Sequence, residues 1–522
     1  MRNLVRRDET RAADAYARGL WVSTTLADAL ADAARHTPDR ALVVDGDTTL
    51  TARELHDRAR ALALQLTEWM PVGSVVSFML PNWHEAAIIY LGATLAGMTV
   101  NPILPSLRDR ELCFILDDAS SRAIFIPAQF GGHDYAAMLT RVAGRLATPP
   151  EVVVLRGDAG PHHAFDTLAA APDRDLPALD PDDVRMIMYT SGTTGRPKGV
   201  LHSHNSINAL IRQLREHWMI DPGDTFLVPS PIAHIGGSIY AFECPLLLGS
   251  TAVLMERWNA EDGITLMTGH RCTHMAGATP FLEQLLGAAE RSGTRLPDLK
   301  VFICGGASVP PSLIRRASGY FDRAVVSRVY GSTEVPVTTV GSLAPGGVEH
   351  AAETDGRPGI AEIRLVSGEI RARGPQMLLG YLHPEDEIES FDENGFFRTG
   401  DLGRWVDGDY LQVTGRAKDL IIRNGENISP KEIEDLLVGR LGITEVAVVG
   451  LPDDRTGERA CAVLVTADGE RPGVADLGRL LAEHGLARFK TPEQVEIWDA
   501  LPKNDAGKVL KHQIRATLKG HH

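Results

Sequence analysis

The stretch Tyr189-Thr190-Ser191-Gly192-Thr193-Thr194-Gly195-Arg196-Pro197-Lys198-Gly199 follows directly on the apolar run Met186-Ile187-Met188. The run reads as a buried strand and the polar segment as the loop that it delivers. Serine and threonine hydroxyls and bare glycine N–H groups can wrap phosphate oxygens, and a lysine ammonium can neutralise them. Lys198 is the first lysine of a chain in which arginine far outnumbers lysine. A cation kept as lysine in that background points to a compact, flexible point charge rather than a planar fork. The loop does not fit G-x-x-x-x-G-K-[ST], because Pro197 precedes the lysine and Gly199 follows it. Its phosphate grip is therefore of a different kind from that of P-loop ATPases.

Around this loop the pattern alternates between helix and strand. Thr25 opens a helical pattern that ends near Pro38, and Ala41–Val44 with Asp45-Gly46 reads as strand and turn. Thr51 with Glu54 three positions on is a capping box, followed by apolar Leu55, Ala59, Leu62 and Leu66 at helical spacing. Val72–Leu80 reads as a buried strand. The alternation predicts α/β layers with parallel sheet. Residues 148–183, rich in Pro, Asp and Ala, read as a surface excursion. Period-two alternation at 361–365 and 368–372, with 395–398 and 410–413, predicts a small antiparallel β unit. The domain junction is placed at Gly415–Asp419. Beyond it Lys431–Glu434 reads as helix and Val446–Val449 as strand. The expected fold class is thus α/β: a large N-terminal domain of layered sheets and helices, residues 1–415, and a small α+β C-terminal domain, residues 416–522.

Composition narrows the function. A chain of 522 residues exceeds what one core usually supports. A net charge of −15 disfavours non-specific nucleic-acid binding. The five cysteines are scattered with no C-x-x-C pair, which fits a reduced cytoplasmic enzyme rather than a disulfide scaffold or zinc site. The charged start, without an apolar core, is read as no signal peptide. The longest apolar run, about Ala86 to Val100, is too short for a bilayer and reads as a buried helix. His202 and His204 are read as polar residues at a helix start.

Further motifs follow the loop in order: Pro231-Ile232-Ala233-His234-Ile235-Gly236-Gly237, Gly305-Gly306-Ala307, Tyr330-Gly331-Ser332-Thr333-Glu334 and Thr399-Gly400-Asp401. Gly415-Arg416-Ala417-Lys418-Asp419, Asn424-Gly425-Glu426-Asn427-Ile428 and Pro502-Lys503-Asn504-Asp505-Ala506-Gly507-Lys508 complete the series. Together with the loop, this series resembles the adenylate-forming superfamily of acyl- and aryl-CoA synthetases, luciferases and peptide-synthetase adenylation domains, over essentially the whole chain.

The resemblance implies a two-step reaction. A carboxylate attacks the α-phosphate of MgATP to give acyl-adenylate and pyrophosphate, and a thiol then takes the acyl group and releases AMP. By the same resemblance Thr190, Ser191, Gly192, Thr193, Thr194, Gly195 and Lys198 hold the phosphates. Gly306, Ala307, Tyr330, Gly331, Ser332, Thr333, Asp401 and Arg416 hold the nucleoside and α-phosphate, with Tyr330 stacked on adenine and Asp401 on the ribose hydroxyls. Glu334 and Thr194 are assigned to Mg²⁺, and Lys508 to bridging carboxylate and α-phosphate. Lys418 is the hinge about which a mobile C-terminal domain turns. His234, Ile235, Gly236, Gly305 and Val329 line the acyl pocket, with Met275–Leu282 as a further wall. Arg423 and Gly425 face CoA, although Asn424 departs from a common Gly-Gly. The wording is most similar to short- and medium-chain or alicyclic acyl-CoA ligases. A carrier-protein thiol stays open as the alternative acceptor, and a homodimer stays open as the assembly.

Overall fold

Continuous apolar runs become strands buried on both faces, and these build two large sheets. The computed structural model describes residues 9–168, 171–190, 196–306, 309–344, 346–423, 426–453, 455–467, 469–504 and 507–519, without the side chain of Asn427. Among these, an eight-stranded sheet runs in the order Gly380–Tyr381, Lys198–Ser203, Val184–Thr190, Thr99–Pro102, Val75–Phe78, Ser121–Pro127, Glu151–Leu155, His163–Ala164. Its pairings are parallel except those that Lys198–Ser203 makes on either side.

A seven-stranded sheet runs Val325–Arg328, Val301–Cys304, His274–Gly277, Thr225–Val228, Thr251–Leu254, Ala41–Asp45, Thr48–Thr51. Only its last pair is antiparallel. Gly277, Cys304 and Arg328 are level with one another across three of these strands. The loops bearing Gly305 and Val329 therefore leave from one carboxyl edge, where open α/β sheets place their ligands.

The helix His84–Leu95 touches strands of both sheets. It is buried from Ala86 through Leu95, which explains an apolar run with no polar face. Burying each large side chain there contributes roughly 1.5–3 kcal/mol. Gly92 permits the approach to helix Ala52–Trp69: a Cβ there would lie 3.1 Å from the Ala59 carbonyl oxygen. That neighbouring helix starts at the expected Thr51–Glu54 capping box.

The period-two segments form the antiparallel sheet Glu362–Val366, Glu369–Arg373, Phe397–Val406, Tyr410–Arg416. Sheet membership changes immediately afterwards. A 3₁₀ turn, Ala417–Asp419, leads to a five-stranded sheet containing Ile421–Arg423, Glu426–Ile428, Ile443–Asp453, Gly457–Thr466 and Gln494–Ile497, with its own apolar cores. The helix Pro430–Leu437 and the strand about Val446–Val449 lie where the patterns placed them.

Two readings are corrected. Residues 148–183 are not wholly a surface excursion: Glu151–Leu155 is an inner strand with Val152, Val153, Val154 and Leu155 buried. Its polar flanks had hidden a short β-branched run. His202 does not start a helix. It lies on the strand Lys198–Ser203, and the helix His204–His217 begins only after Ser203 caps it.

Candidate active site

The strands Val184–Thr190 and Lys198–Ser203 form an antiparallel hairpin in which Thr190 pairs with Lys198. These two residues are the feet of the glycine-and-hydroxyl loop. Ser191, Gly192, Thr193, Thr194 and Gly195 lie outside the described residues, as do Ala307 and Gly425. Gly380–Tyr381 pairs on the far side of Lys198–Ser203, which brings the Tyr381 ring to 5.1 Å from Lys198 Nζ. The Tyr381 hydroxyl donates to Glu334 Oε1 at 3.0 Å. Burial and the Glu334 charge push that phenol's pKa up, so it stays a neutral donor. One tyrosine thus links the candidate phosphate cation with the candidate metal carboxylate. A carboxylate oxygen is the hard donor that Mg²⁺ favours, so Glu334 fits that group.

Past strand Val325–Arg328 the chain turns back on itself: the Tyr330 N–H donates to Thr339 Oγ1 at 2.8 Å, and the Thr339 N–H to the Tyr330 carbonyl at 3.0 Å. The Tyr330 hydroxyl donates to Asp401 Oδ2 at 2.8 Å, while Arg416 Nε meets Asp401 Oδ1 at 2.8 Å. Cross-strand pairing of Asp401 with Arg416 makes the second contact. Each carboxylate oxygen keeps further acceptor capacity, which suits a vicinal diol. Thr333 is held from behind: His202 Nε2 lies 2.8 Å from its carbonyl oxygen. Burial pushes the His202 imidazole down to about 4, so it is neutral at pH 7. A carbonyl can only accept, so Nε2 carries the proton and Nδ1 faces the Ser206 hydroxyl at 3.1 Å.

At the candidate acyl pocket, His234 precedes the one-turn helix Ile235–Ser238. Gly237 is required there, because a Cβ would sit 2.1 Å from the Pro231 carbonyl oxygen. A Cβ on Gly236 would meet nothing within 4 Å. Gly305 and Val329 touch, since a Cβ on Gly305 would lie 3.0 Å from the valine side chain. The helix continues through a π-helical turn, Ile239–Glu243. Its Glu243 forms a buried pair with Arg185 at 2.8 Å, and Tyr90 donates to the same carboxylate. Arg185 belongs to the strand Val184–Thr190, so this pair ties the helix that follows His234 to the strand that carries the loop. A single arginine in an apolar run gave no sign of it.

The tail loop reaches the cleft. Gly507 has φ +76°, and a Cβ there would lie 3.4 Å from the Pro280 ring. The turn is closed by Asn504, whose side chain accepts from the Lys508 N–H at 2.8 Å. Lys508 is exposed to solvent on one side, yet nearby protein partly desolvates it. Desolvation, then the Arg416 charge, lower its pKa from the ordinary 10.5, against Asp401, Asp419 and Glu334, which raise it. Asp419 is held by Arg515 at 3.0 Å, which joins the tail helix Lys511–Lys519 to the 3₁₀ turn containing Lys418. Arg423 is engaged by Glu493 at 2.7 Å.

Tyr381 thus joins Lys198 to Glu334, Asp401 joins Tyr330 to Arg416, and the Lys508 ammonium feels the charges of Arg416, Asp401 and Glu334. The model for AMP-binding enzymes matches residues 30–382, and that for the AMP-binding enzyme C-terminal domain matches residues 432–508. The chain belongs to the AMP-binding enzyme family. It is 31% identical to the medium-chain fatty-acid–CoA ligase of Escherichia coli (strain K12), over 98% of this chain and 93% of that protein. It is 34% identical to the 3-[(3aS,4S,7aS)-7a-methyl-1,5-dioxo-octahydro-1H-inden-4-yl]propanoyl:CoA ligase of Rhodococcus jostii (strain RHA1), over 95% and 99%. Among solved structures, ATP-bound MatB from Rhodopseudomonas palustris superposes with a TM-score of 0.83 at 26% identity, covering 95% of this chain and 99% of that one. No helix among the described residues is long and apolar enough to cross a membrane.

Proposed function

We propose that this enzyme is an ATP-dependent acid–CoA ligase acting on medium-chain fatty or alicyclic carboxylic acids. The observation that carries the reading is the tail loop seated against Pro280, with Lys508 among Arg416, Asp401 and Glu334. In the first step a carboxylate oxygen bonds to the α-phosphorus and pyrophosphate leaves. Two anions must meet, so cations fixed beforehand contribute most of the barrier reduction. Lys508 bridges the incoming carboxylate and the α-phosphate, Lys198 holds the phosphates that depart, and Asp401 with Tyr330 orients the nucleoside. Mg²⁺, held by Glu334 and Thr194, supplies further neutralisation of the triphosphate when bound. In the second step a thiol bonds to the acyl carbon and AMP leaves.

The acyl walls assigned here are small and apolar, with no carboxylate or ammonium to pair with a substrate amine, which disfavours amino acids. Residues 1–415 and 416–522 are taken as the two units that move between steps. CoA is the preferred acceptor, with Arg423 and Gly425 on its side. The test is a panel of carboxylic acids scored for pyrophosphate release, followed by AMP release with CoA against a phosphopantetheinylated carrier protein. Fastest release with C6–C12 or ring-bearing acids and CoA supports the reading. Preference for an amino acid or for the carrier protein overturns the corresponding part.

A pH dependence follows from Lys508. Its ammonium does the work, and its pKa is lowered, so activity falls as pH rises through a value below 10.5. Acid-dependent ATP–pyrophosphate exchange is expected to lose rate on the alkaline side earlier than an ordinary lysine would allow. Lys508→Arg keeps the charge at all working pH values and is expected to lose that limb at reduced overall rate. An unchanged alkaline limb in Lys508→Arg would assign it to another group.

A further inference from the structure

Two carboxylates, Asp118 and Asp386, stand beside the base of the hairpin. At the upstream foot the Tyr189 hydroxyl donates to Asp118 Oδ2 at 2.7 Å. At the downstream foot Arg196 Nη2 donates to both oxygens of Asp386, 2.9 Å each, while its Nη1 stands 3.9 Å from Asp118 Oδ1. Lys198 Nζ is 3.6 Å from Asp386 Oδ1, beyond hydrogen-bond length. His383 Nε2 meets Asp118 Oδ1 at 2.8 Å. The side chains of Asp118 and Asp386 are only 9% and 10% exposed, so their charges are weakly screened by solvent. They come from the helix Asp109–Asp118 and the 3₁₀ turn Pro384–Glu387, both remote in sequence from the hairpin.

The division of labour within this cluster is uneven. Asp386 grips Arg196 with both oxygens but only draws on Lys198 from a distance. An arginine satisfied in this way has its fork turned to protein carboxylates rather than to a ligand, whereas Lys198 remains able to move to one. A carboxylate this close to Lys198 also opposes any anion that the lysine receives.

We propose that Asp386 is a positioning residue that limits how tightly the hairpin holds phosphate: it withholds Arg196 and tempers Lys198, so that pyrophosphate leaves after adenylation. The proposal rests on Lys198 being the phosphate cation of the reading above. Asp386→Asn keeps the size of the side chain and removes its charge, leaving Lys198 without its nearby carboxylate and Arg196 with only the more distant Asp118. Loss of structure would weaken anion binding, so a tightening distinguishes this role from a merely structural one.

The experiment is calorimetric titration of the full-length protein with inorganic pyrophosphate and with MgATP, beside steady-state kinetics. Asp386→Asn is expected to bind pyrophosphate roughly three- to thirtyfold more tightly, with KM for ATP and kcat both lowered because product release slows. Asp386→Asn combined with Arg196→Met removes both partners of the pair, which is the gentler perturbation of folding. It is expected to return pyrophosphate affinity to within about threefold of the parent. Unchanged or weaker pyrophosphate binding in Asp386→Asn overturns the proposal. So does a large loss of affinity in the double variant, which would make Arg196 a phosphate ligand itself. Lys198→Ala tests the underlying reading separately: unaltered pyrophosphate binding there removes Lys198 as the phosphate cation, whatever Asp386 does.

Discussion

Lys508→Ala is expected to lower acid-dependent ATP–pyrophosphate exchange by on the order of 10²–10³-fold, while thioester formation from supplied acyl-AMP stays within a few fold of the parent. The asymmetry follows from where charge develops. In adenylation the carboxylate and the α-phosphate approach as two anions, and a preorganised ammonium stabilises the transition state more than either reactant alone. Once the acyl-AMP exists that repulsion has passed. The loop that carries the lysine is fixed by Gly507 against Pro280 and by the Asn504 side chain, which closes the turn. Alanine at 508 leaves both features in place, so a general collapse of the fold is not expected. Equal loss in both half-reactions would contradict the assignment.

Lys418→Pro is expected to keep adenylation within roughly tenfold of the parent and to reduce CoA-dependent turnover by on the order of 100-fold or more. Lys418 sits in the 3₁₀ turn Ala417–Asp419, between the sheet that carries Arg416 and the sheet that carries Ile421. Proline holds φ near −65°, within the range such a turn uses. The observed arrangement, with Lys508 in the cleft, therefore remains open to the variant. Some strain falls on Ala417, because proline disfavours helical torsions in the residue before it, and this sets the modest loss in the first step. A swing of the tail away from the cleft needs other torsions at the turn, and the ring forbids them. The measurement is a burst of enzyme-bound acyl-AMP followed by slow release of acyl-CoA. Turnover with CoA at the parental rate would remove Lys418 as the hinge.

Much of the fold could be read from local pattern, because the pattern was a direct record of burial. The Thr51 capping box and the buried stretch Ala86–Leu95 of the helix His84–Leu95 are examples, although the same apolar run continues into the strand Thr99–Pro102 rather than lengthening the helix. The alternation in Glu369–Arg373 appears because that strand buries every other side chain. The strand Glu151–Leu155 escaped because four buried residues between polar flanks carry no period.

The motifs marked where the candidate site residues fall along the chain but not what holds them. Tyr381 reaches Glu334 and Lys198 through the register of an edge strand. His202 supports Thr333 across 131 positions of sequence. Asp118 and Asp386 arrive from separate elements. Such partners are chosen by sheet order, and sheet order leaves no mark at the residues themselves.

In the proposed reaction a carboxylate oxygen of the substrate attacks the α-phosphorus of ATP between Lys198 and Lys508. The direct measurement uses a medium-chain acid labelled with oxygen-18 in its carboxyl group, turned over with MgATP and CoA, and mass analysis of the nucleotide product. AMP carrying one labelled oxygen is the predicted result. Unlabelled AMP, or label recovered in inorganic phosphate beside ADP, would contradict it.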